Sequence, residues 1–493
     1  MVSLIISIVF AVFLIIGFLV GMSRGLKRTA VRGIWVAVSI ILLLFLSTNI
    51  TMSLLKLPIG NWIPLQVEGV SYVKLPEYIT ALLDSKLALD GVNYADTVNV
   101  ILTLISMLIN GVVFIVCYWV LKLITLILYW IFNIFIFAGE RRKKKALKEE
   151  GKKLNKHRLL GGLLGSGLAL ATFFCTISPL VGYIQVAKSV EARSAENAGT
   201  ETGILTEYGG DTYTQIVDGY DKSVAGKTFK ALGLDKLMTS LLDLNSTVVV
   251  NKEKIKLSTE AINITDIYYQ VKDFNIPNLN TCTQAELSNS LDKIDTMIDV
   301  VFKSKTVEVC TDVVVPIGVK FARKEVKTDG YKPYVRVFIN SCFDELESYK
   351  SEKTKQEILN VVSLVRTLNN NNLLLPIVQG NTGDMVEYLK TNLTKENSNA
   401  IVDAVFKLNT ANEMAPNIVN FLLGFGAEKA DYDYSDETSI TATTLKDAAL
   451  TMLTSAVDVL SCIDKTDGKT NYKINSTLAG ALGGMLDAVK GLI

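Results

Sequence analysis

Histidine is all but missing from this chain. His157 is the only one among 493 residues. Residues 158–493 therefore offer no Ser-His-Asp or Cys-His hydrolase base of the usual kind, and a His-ligated zinc site is excluded there. Cysteine is also sparse. Cys117, Cys175, Cys282, Cys310, Cys342 and Cys462 match no metal-binding spacing, and they read as small apolar side chains rather than disulfides. Complete nucleotide and calcium motifs are absent as well. Asp221–Thr228 (DKSVAGKT) ends like a phosphate-binding loop, but Asp221 stands where the first glycine belongs and no apolar strand leads into it. Asp431-x-Asp433-x-Ser435-Asp436 lacks a glycine at its sixth position and a carboxylate at its twelfth, Ala442. It reads as a solvated acidic loop. No catalytic residue, cofactor or metal is expected, and the chain reads as a non-enzyme.

What is present is hydrophobic and unevenly charged. Mean hydropathy is +0.33 and 49% of residues are hydrophobic. Residues 1–183 carry 18 Lys/Arg against 8 Asp/Glu, a net of +10. The rest of the chain carries 32 against 41, a net of −9. The acidic part is unsuited to nucleic acid. The basic part holds Arg141–Arg158, with ten Lys/Arg and two glutamates. Short Lys/Arg-rich loops between spans stay in the cytoplasm, so this loop sets the expected topology. Beside a bilayer its cations attract anionic lipid head groups, at about 1 kcal/mol per residue.

Four spans are predicted, at about 3–21, 29–48, 98–120 and 159–181. Leu4–Val20 is an uncharged run followed by Arg24, Lys27, Arg28 and Arg32. It lacks the basic leader and cleavage site of a signal peptide. Leu75–Leu89 suits a short amphipathic surface helix. Val98–Ala138 has 41 residues and one charge, Lys122. As one helix it would reach about 60 Å, twice the roughly 30 Å hydrocarbon core. We therefore expect a span over 98–120 and a separate interfacial helix over 121–138, with the basic loop 139–158 inside. Gly17 and Gly21, and again Gly161 and Gly165, are small residues four apart that let another helix approach closely. They are expected to mediate packing or self-association. Arg24 and Arg158 at the inner span ends read either as snorkelling anchors or as a functional basic cluster at the mouth of a bundle.

Gly17-x-x-x-Gly21-x-x-Arg24-Gly25 resembles the first-span signature of the colicin V production protein (CvpA-like) family. Arg158-Leu159-Leu160-Gly161-x-x-x-Gly165 resembles the segment leading into that family's last span. His157 stands where the family usually has Asp, and Leu168 and Ala169 replace its later Arg-Gly pair. The resemblance covers roughly residues 1–185. It implies a multi-pass membrane protein that serves as scaffold or accessory in toxin production, toxin export or envelope upkeep. Its partners would be the bilayer, further copies of itself or other envelope proteins. An oligomeric channel capped by an external domain is the alternative.

Residues 186–216 are small and polar and read as a linker. Residues 217–493 are expected to form a mostly helical extracytoplasmic domain, which makes the whole chain all-α. Leu287, Leu291, Ile294, Ile298 and Val301 follow helical spacing behind a Thr283–Glu286 capping box. Thr354 and Glu357 have the same spacing. Thr247–Val250 and Val313–Val315 are β-branched runs that suit strands.

Overall fold

The computed structural model describes residues 2–87, 94–137, 139, 149, 157–328, 330–429, 441–466 and 469–492. The basic loop and the acidic loop around Asp433 lie largely or wholly outside these residues. The chain is predominantly helical, with three antiparallel hairpins among the described residues. It divides into two compact units, the first reaching Tyr269 and the second beginning at Gln270.

In the first unit, α1 (Val2–Arg24) and α2 (Leu26–Leu55) are separated by Gly25 alone. Gly25 has φ 79°, a conformation that a side chain resists. The hairpin β1 (Leu65–Val67) and β2 (Val70–Tyr72) turns at Glu68 and Gly69, both with positive φ. Helix α3 (Leu75–Leu87) follows. Helix α4 (Ala95–Ile136) is 42 residues long, about 63 Å at the usual rise. The separate interfacial helix expected over 121–138 is therefore the second half of α4. No glycine or proline occurs between Val112 and Ile136 to end the helix there.

Helix α5 (Arg158–Ala198) runs through Pro179 and stops at Gly199, with φ 66°. The expected linker 186–216 is instead the last turns of α5 and the start of α6 (Ile204–Asp221). Its small polar residues are also alanine, glutamate, lysine and arginine, which favour helix. The carboxylate of Glu191 on α5 accepts hydrogen bonds from the amides of Gly203, Leu205 and Thr206 at 2.8–3.2 Å. It thereby satisfies donors that every helix start leaves open.

Next come α7 (Val224–Ala231), α8 (Leu234–Ser246), the hairpin β3 (Val248–Val250) with β4 (Glu253–Ile255), and α9 (Leu257–Val271). These elements belong with the apolar helices, so the compact units do not divide at residue 217. Tyr220, Ala225, Phe229 and Met238 form one buried cluster with Phe10 and Phe173. Phe10 meets Phe173 edge-on at 5.1 Å and Phe229 at 5.9 Å. The DKSVAGKT stretch is part of this seam. Ser223 caps α7 by accepting from the Gly226 amide, and the Val224 amide donates to Ser7 of α1. Among the described residues, α1, α4 and α5 are long and apolar enough to cross a membrane.

The second unit is built from helices that bury one apolar stripe each. In α10 (Gln284–Val301), Leu287, Leu291 and Ile298 pack on Val362 of α13 (Ser351–Asn370), with Leu375 from the short helix α14 (Leu375–Val378). Between them lie α11 (Lys305–Glu325) and α12 (Pro333–Glu347). Val313–Val315 is helical within α11, whose N-cap Ser304 accepts from the Val307 amide, and the helical context overrides a weak β propensity. The Thr354–Glu357 pair is no capping box, because α13 already begins at Ser351. Glu357 accepts instead from the Asn409 and Thr410 amides at 2.6 and 3.1 Å.

Further on come α15 (Met385–Asn392), α16 (Lys395–Val405), α17 (Asn409–Glu413), α18 (Ala415–Lys429), α19 (Ala442–Ser461), the hairpin β5 (Ile463–Thr466) with β6 (Lys469–Tyr472), and α20 (Ser476–Lys490). Ala415, Val419, Leu445, Ala448, Ala488 and Leu492 make a second core there. All six cysteines are free thiols.

Two outcomes follow from these cores. A fragment starting at Gln270 should be soluble and unfold cooperatively, read by circular dichroism. A fragment starting at residue 190 should aggregate, since Phe229 and Met238 lose Phe10 and Phe173. A third outcome concerns the cap of α10. The Thr283 amide and hydroxyl donate to Glu286 at 2.7 and 3.0 Å, and these bonds hold its carboxyl below the usual range. A depressed carboxyl stabilises the fold above its unfolded value of about 4.3, and that contribution fades as pH falls through the folded value. In chemical denaturation, Glu286→Ala should therefore cost more stability near pH 7 than near pH 3.

Candidate functional site

The turn at Gly25 brings α1 and α2 back to back, and glycine decides how closely α5 joins them. Gly17 and Gly21 of α1 face Gly161 and Gly165 of α5. A Cβ added to Gly21 would stand 2.1 Å from the Gly161 carbonyl oxygen, and one on Gly165 would stand 2.2 Å from that of Gly17. Neither backbone has room to retreat, so any side chain here separates the helices. The two glycine faces are thus spent on each other within one chain. Gly161 also abuts Gly25, so the interface reaches the turn itself.

A cavity of about 280 Å³ lies between α1, α2, α4 and α5. Its wall contains Gly17, Gly21 and Gly165 with the apolar Val12, Phe13, Ile16 and Val20. At the Gly25 end three cations enter it, Arg24, Arg32 and Lys122. An adjoining cavity of about 260 Å³ shares those three and adds Arg28, Trp35, Tyr129 and Trp130. Among the described residues, no acidic side chain lines either cavity. Among the described residues, Arg24, Arg32 and Lys122 have no carboxylate partner.

Aromatic rings contact some of these cations. The Lys122 ammonium lies 4.4 Å from the Trp119 ring centre, and the Arg28 guanidinium lies 5.1 Å from that of Phe137. Such contacts stabilise a cation by about 0.5–2 kcal/mol. Trp35 stacks on Phe132 at 6.0 Å and stiffens the adjoining wall. The arrangement is a cationic pocket with apolar walls and a hydroxyl, Thr29, held by its own bond to the Gly25 carbonyl at 2.9 Å. It can hold an anion. Among the described residues, no histidine, carboxylate or cysteine lines it.

Of the residues singled out from sequence, Gly17, Gly21, Gly165 and Arg24 line the cavity. Gly161 belongs to the helix interface beside it. Arg158 is exposed at the start of α5 and lines neither cavity. Sequence reasoning passed over Arg28, Arg32 and Lys122 as site residues. Arg24, Arg28 and Arg32 are spaced by fours, and Lys122 is the lone charge in a long apolar run. Such an ionisable residue points by itself to function.

No family model, curated protein or solved structure matches this chain.

The glycine interface has a direct test. Gly165→Leu or Gly21→Leu should lower the detergent-solubilised protein's melting temperature, with a loss of about 1–3 kcal/mol or more from overpacking. Substitution of the exposed Lys27 should leave it unchanged.

Proposed function

We propose that this chain is a four-span, non-enzymatic membrane protein that acts as a scaffold or transport accessory of the cell envelope, in the manner of the CvpA-like family. Production or export of a colicin V-type toxin, or envelope homeostasis, is the corresponding process. The observation that carries this reading is helix α5. Its apolar first half is locked to α1 by glycine contacts, and its polar second half leads through the short turn at Gly199–Gly203 into α6–α9. One helix therefore joins the apolar bundle to a folded cap, which is what a scaffold requires. Arg193 near the end of α5 pairs with Asp266 of α9 through two bonds of 2.6 and 3.0 Å, and this fixes the cap on that helix.

In this reading α2 is the fourth span, the basic loop 139–158 is cytoplasmic, and the cap and the unit from Gln270 onward are extracytoplasmic. Positive-inside charge supports that orientation. The packing of the cap speaks against a pore inside one chain. Phe10, Phe173, Val181 and Phe229 close the bundle where α6–α9 meet it, each no more than 6% exposed. The capped-channel alternative would need its pore between chains.

Cysteine-accessibility labelling in intact cells tests the topology. A cysteine at Lys145 should resist a membrane-impermeant reagent, and one at Asp433 should react. Labelling of Lys145 from outside would reverse the orientation and remove the envelope-scaffold reading.

A further inference from the structure

The cationic cavity has a feature that the scaffold role does not use. Its charges and its apolar wall face a common space, and that space opens sideways. Val12 and Ile16 line it and are also 45% and 55% exposed on α1. They belong to the apolar face that a membrane span turns towards lipid. A molecule arriving from the bilayer would thus meet hydrocarbon-like side chains first and cations at the far end. Three cations without a lining carboxylate favour a phosphate ester, since guanidinium groups grip its oxygens through paired donors. Free phosphate would satisfy the cations but would leave the wall of Val12, Phe13, Ile16 and Val20 without a partner.

We propose that the Arg24–Arg32–Lys122 cavity binds the phosphate headgroup of an anionic phospholipid, whose acyl chain lies along α1 past Val20, Ile16 and Val12. This rests on the chain crossing a membrane, and it does not depend on which side the basic loop occupies. The attraction of the polybasic run Arg141–Lys156 for head groups is of another kind, a long-range effect that salt screens. A phosphate among partly buried cations is screened much less. Gly17, Gly21 and Gly165 are part of the lining and present backbone rather than side chain there.

The experiment uses the full chain, purified in detergent and kept in high salt to strip lipid from the basic loop. Native mass spectrometry then counts bound dioleoyl phosphatidylglycerol, with dioleoyl phosphatidylcholine and inorganic phosphate as separate arms. One phosphatidylglycerol per chain is expected, with phosphatidylcholine retained far less. Arg32→Gln with Lys122→Gln should weaken retention by about tenfold or more. Val36→Trp, which keeps every cation but fills space shared by both cavities, should weaken it as well. Lys27→Gln should not, and Lys122→Arg should keep the lipid. If the double variant does not fold, Val36→Trp decides the matter alone. Undiminished retention in the folded variants, or equal retention of phosphatidylcholine, would overturn the proposal. Inorganic phosphate that stabilises the protein and displaces the lipid headgroup would assign the cavity to a free anion and equally overturn it. Failure of the topology labelling would leave these outcomes unchanged, so the two readings fail separately.

Discussion

The contact between α1 and α5 is the constraint on which the first unit depends. Lipid tails are as apolar as leucine, so helices in a bilayer gain little by hiding hydrophobic surface from one another. They associate when their backbones can come close enough for dense packing. Gly17, Gly21, Gly161 and Gly165 supply that closeness, and Gly25 returns the chain at once so that α2 shares the same neighbours. Each glycine is costly alone, because it frees the unfolded backbone and weakens a helix by about 1 kcal/mol. Together they are repaid only if all four meet in register. Register at this seam sets where α5 ends and hence where Glu191 and Arg193 hold α6 and α9.

The same seam borders the cavity. Gly17, Gly21 and Gly165 line it together with the long side chains of Arg24, Arg32 and Lys122. Placing three cations beside apolar walls is unfavourable unless something offsets the lost hydration. Trp119 offsets part of it for Lys122. The remainder is the physical reason for reading the cavity as a place for an anion rather than a packing defect. An empty apolar defect would cost stability in proportion to its volume, and side chains of ordinary size would close it.

Local signals carried much of the fold. The Thr283–Glu286 cap, the stripe Leu287, Leu291 and Ile298, and the glycine pairs are all visible from spacing, because each is decided within a turn or two of helix. What failed was decided elsewhere. Glu357 has the right spacing to cap with Thr354, yet its partners, Asn409 and Thr410, lie some fifty residues on. Lys122 looked like the place for a break, because a span was assumed to be no longer than the bilayer is thick. The chain has no breaker there, so the helix continues. Residues 186–216 read as a linker because composition was weighed without helix propensity. The cavity was half visible. Gly17, Gly21 and Arg24 stood out in α1, but only the tertiary fold brings Arg32 and Lys122 to the same space.

The end of the bundle away from Gly25 is built on the opposite principle, and the contrast explains how one chain can be open at one place and fixed at another. There the helices meet through buried polar groups as well as aromatic rings. Thr51 of α2 donates to the Asn110 side-chain carbonyl on α4. The Asn110 amide donates in turn to the Asn245 backbone on α8, and Ser47 reaches the Asn245 side chain at 3.3 Å. Tyr183 of α5 donates to the Leu108 carbonyl and accepts from the Gly111 amide at 3.2 Å. Four helices are thus tied by bonds whose loss would strand polar atoms in an apolar interior, at about 1–3 kcal/mol each. Apolar packing alone tolerates sliding, whereas a hydrogen bond of fixed length does not. The cap is therefore positioned by polar contacts and sealed by Phe10, Phe173 and Phe229. The cationic cavity lies instead beside the glycine seam, lined by Gly17, Gly21 and Gly165.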